Sequence, residues 1–331
     1  MNSTENSEVE HSNNSIQYQR PKSIKTMKEV MESTSKQQSW LVENLIPSGQ
    51  LTALVAPSDV GKSIFCRQLS VTSVLNEDSF IGHKLNAEGR QVIYISTEDM
   101  DHDWKEKMEK YPLSLEQTAL VSDKMLLITN YGGTHGDLYK LIENEIKHNP
   151  TALVVFDVFT DIYTSDLNSS VEIRKFLKPY KNLAAIHNTA MLFVHHVSKK
   201  GESTGQHGKQ NVLGSQAIEA SMRSVLELRK DGGNTEERIL KITKGNYVSE
   251  RIKKMNYRFK LNQHLIYEPC AMFDTSIQQV DIVEKVKTYF KNGESSRGIS
   301  KLLEQENISV GKSKIAEIIK QFKENEDVHK Q

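Results

Sequence analysis

Apolar residues along this chain gather in short dense runs separated by longer polar stretches. Leu51 to Ala56, Gln91 to Ser96, Met125 to Ile128, Ala152 to Phe156 and Ala190 to Val194 have the length and β-branching of strands buried on both faces. The stretches between them, Ile64 to Leu75, Gly136 to Lys147 and Val171 to Asn188, carry apolar residues at helical spacing. This alternation predicts an α/β fold: a mostly parallel central sheet covered by helices on both faces. Ser224 to Arg229 and Glu237 to Thr243, separated by a Lys-Asp-Gly-Gly-Asn turn, predict an antiparallel hairpin on the edge of that sheet.

The texture changes at both ends. Residues 1–36 are rich in Asn, Ser and Glu and hold almost nothing that could enter a core, which predicts a disordered lead-in. Residues 37–272 form the expected core, and 273–331 a small helical module. Its helices are expected at Val280–Lys291, Ser296–Glu304 and Lys312–Glu324, joined by links short enough for a helix-turn-helix or winged-helix arrangement. Lys312, Lys314, Lys320 and Lys323 on the third could read duplex DNA. A small lid or oligomerisation bundle fits the same pattern.

Composition narrows this little. Lys plus Arg equals Asp plus Glu at 43 each, so no global field advertises nucleic acid and any such site must be local. The two cysteines, Cys66 and Cys270, are far apart and point to reduced thiols in a cytoplasmic protein. No apolar run suggests a membrane anchor.

The first apolar run leads into Ala56, Pro57, Ser58, Asp59, Val60, Gly61, Lys62, Ser63 and Ile64. This is the G-x-x-x-x-G-K-[ST] phosphate loop with alanine in place of its first glycine. Backbone N–H groups surround the phosphates, Lys62 reaches their oxygens and the Ser63 hydroxyl ligates Mg²⁺. Asp59 would repel phosphate unless it faces solvent or caps the following helix. Val310-Gly-Lys-Ser313 repeats the tripeptide, but without a strand before it, and is expected to start a helix.

Three further strand ends supply the remaining chemistry. Asp157 closes the Leu153-Val-Val-Phe run, where a carboxylate can hold Mg²⁺. Glu98, with Asp99 as competitor, follows the Gln91–Ser96 run and can activate water. His195 and His196 follow the fifth run; adjacent strand residues face opposite ways and no third ligand is suitably spaced, so His196 is expected to sense the γ-phosphate rather than bind metal. The glycine-containing basic segment after it, residues 197–213, has the length of a mobile loop.

With these blocks in order, residues 40–270 resemble a RecA-like ATPase, most closely the RepA-type hexameric replicative helicases of broad-host-range plasmids. The likeness rests on the phosphate loop, Val92-Ile-Tyr-Ile-Ser-Thr-Glu-Asp99, Asp157, Phe193-Val-His-His-Val-Ser-Lys199, Gly214-Ser215 leading to Arg223, and Thr243-Lys-Gly-Asn-Tyr247. The resemblance implies ATP and Mg²⁺ as cofactors and Glu98 as the base. It implies a hexameric ring of identical chains in which Arg223 is an arginine finger reaching a neighbour's site, with Lys244 near the same interface and nucleotide. It also implies single-stranded DNA threaded past residues 197–213. Leu213 departs from the family, which commonly has arginine there. Two functions follow: a DNA-dependent ATPase moving on single strands during plasmid or mobile-element replication, or a nucleotide-switched DNA-binding regulator, loader or scaffold.

Overall fold

The dense apolar runs are strands of one sheet; four lie inside it, but Met125–Thr129 is an edge strand and only partly buried, not covered on both faces as its sequence suggests. The computed structural model describes residues 24–32, 38–166, 169–196, 215–231, 236–305, 310, 315–320 and 322. Residues 1–37 and 38–331 form separate units. In the first, the described part holds a helix, α1 (Met27–Glu32), where only a structureless lead-in was expected. Thr26 and Glu29 close a reciprocal cap at its start, and none of its residues is buried.

In the second unit Trp40–Val42 (β1) and Ile46–Pro47 (β2) make a small ribbon ahead of β3 (Leu51–Ala56). Then follow α2 (Lys62–Val74), the ribbon β4 (Ser79–Phe80) and β5 (His83–Lys84), β6 (Gln91–Ser96), α3 (Asp101–Glu109), α4 (Leu115–Lys124) and β7 (Met125–Thr129). Next come α5 (His135–His148), β8 (Thr151–Asp157), α6 (Phe159–Ile162), α7 (Ser170–His187), β9 (Ala190–His196), α8 (Ser215–Ser221), β10 (Ser224–Lys230) and β11 (Glu237–Gly245). The last elements are α9 (Glu250–Lys253), β12 (Met255–Leu261), β13 (Tyr267–Asp274), α10 (Thr275–Lys291) and α11 (Ser296–Gln305).

Among the described residues the main sheet has nine strands in the order β13-β12-β11-β10-β3-β9-β8-β6-β7. From β10 to β7 every pairing is parallel; β11, β12 and β13 are added antiparallel. The β10–β11 hairpin therefore lies inside the sheet, not on its edge. Two further strands, β12 and β13, extend it.

Two apolar layers flank the sheet. Leu54, Tyr94, Val155 and Val194 face α2, whose Phe65, Cys66 and Leu69 are fully buried. Val55, Ile95, Phe156 and Phe193 face the other way, against Ile142 of α5 and Ile173, Leu177 and Tyr180 of α7. Phe156 and Phe193 stack there with centroids 4.3 Å apart. Even the polar residues of α2 are interior: Ser70 and Thr72 return their hydroxyls to the Cys66 and Gln68 carbonyls, and Arg67 lies over the Trp104 ring.

Past β13 the chain enters α10 with no residue between, five residues earlier than the sequence pattern suggests. Val286, Ile299, Leu303, Ile315, Ile318 and Ile319 form a small core of their own. Residues 315–320 are helical, whereas Lys312, Lys314 and Lys323 lie outside the described residues, as does the 197–213 segment. No helix among the described residues is long and apolar enough to cross a membrane.

Candidate nucleotide site

Parallel register sets the depth of each strand-end group. Ser96 pairs with Asp157, and Ala56 with His196. Because Phe156 pairs with Phe193, His196 stands two residues beyond the level of Asp157, as does Glu98. Glu98 and His196 meet there, with Oε1 3.5 Å from Nε2. His195 points to the opposite face and packs, fully buried, near Phe159. Asp99 is turned away: its carboxylate is paired with Lys107 and its N–H donates to the Ser96 hydroxyl. Thr97 ties the two strand ends together, donating its N–H to the Asp157 carbonyl at 2.8 Å and accepting from the Val158 N–H at 3.0 Å.

Asp157 sits deeper, only 4% exposed. The Tyr94 hydroxyl donates to its Oδ2 at 2.5 Å. Its Oδ1 is buried without a hydrogen-bond partner. Burial pushes the carboxyl above its ordinary pKa, while the Tyr94 and Ser63 hydroxyls pull it down. A buried carboxylate oxygen left free beside the Ser63 hydroxyl suits a divalent cation that takes its other ligands from phosphate and water. Ser63 and Asp157 are the residues that would hold Mg²⁺, which when bound neutralises phosphate charge.

The loop from β3 to α2 begins with Ala56, fully buried, and Pro57. Ser58 and Asp59 are exposed, and Asp59 faces solvent with φ 61°. Val60 is buried, while Ile64 is half-buried on the first turn of α2. Gly61 caps that helix at φ 100°. A Cβ there would fall 2.0 Å from the Tyr267 hydroxyl, so both conformation and space demand glycine. The Lys62 ammonium donates to the Ala56 and Pro57 carbonyls at 3.2 and 2.7 Å. Burial lowers its pKa; Asp157 and Glu98 oppose that shift.

Arg223 and Lys244 lie elsewhere. Arg223 donates its N–H to the Leu51 carbonyl and accepts from the Asn246 N–H, and Lys244 of β11 pairs with Val225 of β10. Arg223 stands level with Leu51 at the start of β3, about 16 Å from the phosphate loop by the rise of five strand residues, beyond the reach of its side chain to phosphate held by its own chain. Lys244 is level with Ala53, and its ammonium donates to the Glu219 carbonyl.

Tyr94, Gln68, Arg238 and Tyr267 enter the site without having stood out in the sequence. Only Tyr94 carried a signal: it is a polar tip in an apolar run, two residues before Ser96 and thus on the same face.

No curated protein matches the chain. A family model described as AAA domain matches residues 19–202, more than half of the sequence, including the phosphate loop and the C-terminal ends of β6, β8 and β9. Phosphate loop, buried Walker-type aspartate and parallel sheet agree with that match, and the chain belongs to the AAA domain family of P-loop ATPases.

Proposed function

We propose that this protein is a cytoplasmic DNA-dependent ATPase that works as a ring of identical subunits, a RepA-like helicase or translocase on single-stranded DNA in plasmid or mobile-element replication. The observation that carries it is the division of groups between two sheet edges. Lys62, Asp157, Glu98 and His196 converge on one, whereas Arg223 lies at the other with Lys244 on the neighbouring strand, and in this proposal Arg223 serves a neighbour's site from there. Glu98 takes a proton from water, and its contact with His196 gives the histidine a way to register the γ-phosphate. An arginine supplied in trans makes hydrolysis depend on assembly, and is worth ~10³-fold or more in rate. Residues 197–213, following His196, are the proposed single-strand contact.

A second reading is a nucleotide-switched DNA-binding regulator, loader or scaffold. It is favoured by the C-terminal helices having their own core, as a winged-helix or helix-turn-helix module would. ATP turnover measured with and without single-stranded DNA, for the wild type, Lys62→Ala and Arg223→Ala, separates them. Stimulated turnover lost in both variants supports the ring motor. ATP binding with negligible turnover indifferent to DNA supports the switch.

A further inference from the structure

The phosphate loop is held from outside by strands nearly 200 residues away. Arg238 on β11 donates from Nε to the Val60 carbonyl at 2.7 Å. Tyr267, the first residue of β13, donates its hydroxyl to the same oxygen at 3.2 Å and lies 3.3 Å from the Gly61 carbonyl. Tyr267 is itself fixed. Its ring is buried, Arg238 bonds its hydroxyl, and the Gln68 side chain of α2 takes both its main-chain groups, at 2.8 and 2.9 Å.

The geometry of the peptide unit turns this into a statement about phosphate. A trans peptide is planar, so the C=O of one residue and the N–H of the next point in opposite directions. Drawing the Val60 carbonyl toward Arg238 and Tyr267 turns the Gly61 N–H to the opposite, inner side. The Gly61 carbonyl, which also accepts from the Phe65 N–H at 3.0 Å, turns the Lys62 N–H the same way. These are two of the amides with which a phosphate loop grips its ligand. The loop needs the help: alanine replaces its first glycine, and Asp59 occupies the left-handed region at some cost.

We infer that Tyr267 and Arg238 are positioning residues for phosphate binding, orienting the Gly61 and Lys62 amides from strands β13 and β11. The inference rests on the nucleotide-binding reading of the 56–63 loop and adds where part of its phosphate affinity originates. No substrate contact is assigned to either side chain.

The test is equilibrium titration of the full chain with ATP and ADP, and competition by inorganic pyrophosphate, which has no base or ribose. Wild type is compared with Tyr267→Phe, Arg238→Gln and Arg238→Lys. Tyr267→Phe keeps the ring and removes the hydroxyl that holds the loop carbonyls and Arg238, so all three ligands should weaken by about fivefold. Arg238→Gln should weaken them by about tenfold and Arg238→Lys by less. In turnover KM rises with kcat nearly unchanged. If Tyr267→Phe lowers the melting temperature while all three affinities stay unchanged, the role is structural and the inference fails. It also fails if ATP weakens and pyrophosphate does not, since the contact is then with the nucleoside. If Arg238→Gln does not fold, Tyr267→Phe decides alone. Wild type that binds neither ATP nor ADP overturns the nucleotide site itself, a result distinct from either failure.

Discussion

Tyr94 and Asp157 face each other from neighbouring strands, and the tyrosine hydroxyl donates to one carboxylate oxygen while the other is buried without a hydrogen bond, the Ser63 hydroxyl lying close to the carboxylate. Tyr94 thus decides which oxygen remains for a cation. Tyr94→Phe leaves a buried oxygen unsatisfied, at a cost of about 1–3 kcal/mol. The expected result is a lower urea midpoint together with a raised Mg²⁺ requirement for ATP turnover. An unchanged Mg²⁺ requirement would reduce the tyrosine to a packing role.

Lys62 is a desolvated cation whose hydrogen bonds go to neutral carbonyls. Lys62→Met should abolish nucleotide binding and yet raise the stability of the ligand-free protein at neutral pH, on the order of 1 kcal/mol. Because the folded-state pKa is lowered, the unfolded chain binds the proton more tightly. The lysine's penalty therefore shrinks as pH rises from that lowered value toward 10.5. Urea melts of both proteins at neutral pH and at about pH 10 should converge. A constant difference would show that the ammonium is not desolvated.

Glu98→Gln keeps the shape of the side chain and removes the base. Hydrolysis should fall by about 10²–10⁴-fold while ATP affinity changes little. Asp99→Asn, whose carboxylate is held by Lys107, should reduce turnover far less. Single-turnover assays on the two variants would show whether the assignment should be reversed.

If Arg223 acts in trans, Glu98→Gln and Arg223→Ala complement each other. In a random one-to-one mixture roughly a quarter of the interfaces carry both intact groups, so activity should reappear on mixing two inactive proteins. Mixtures that stay inactive would confine Arg223 to its own chain, where it cannot reach the nucleotide.

Gly61→Ala places a methyl against the Tyr267 hydroxyl and forces alanine to a left-handed φ. Tyr267→Phe removes the clash but not the backbone strain. The pair should therefore be less destabilising than the sum of the single changes, with a coupling of about 1 kcal/mol or more in denaturation melts.

Legibility followed burial. β3, β6, β8 and β9 are covered on both faces and read as continuous apolar runs. β12 was hidden because Arg258 and Lys260 interrupt it, and β13 because Glu268, Pro269 and Cys270 do. With those strands hidden, the hairpin before them looked like an edge. α3 buries Trp104 alone and offers no apolar periodicity. That Asp157, Glu98 and His196 lie close together could be read from the sequence because strand ends in a parallel sheet converge at one end. Tyr267 and Arg238 were not, because their target is reached only after the chain has closed on itself.

The Gln68 contact with Tyr267 also bears on where the sheet stops. β13 is an edge strand, and edge strands offer unpaired N–H and C=O groups to any extended chain. At Tyr267 both outward groups are already bound to the Gln68 amide, which stands in for one residue of a tenth strand. Two residues on, the next outward position is Pro269, which has no N–H to offer. The edge is thus blunted where it begins, so the grip on the phosphate-loop helix also protects the sheet from extension by another chain.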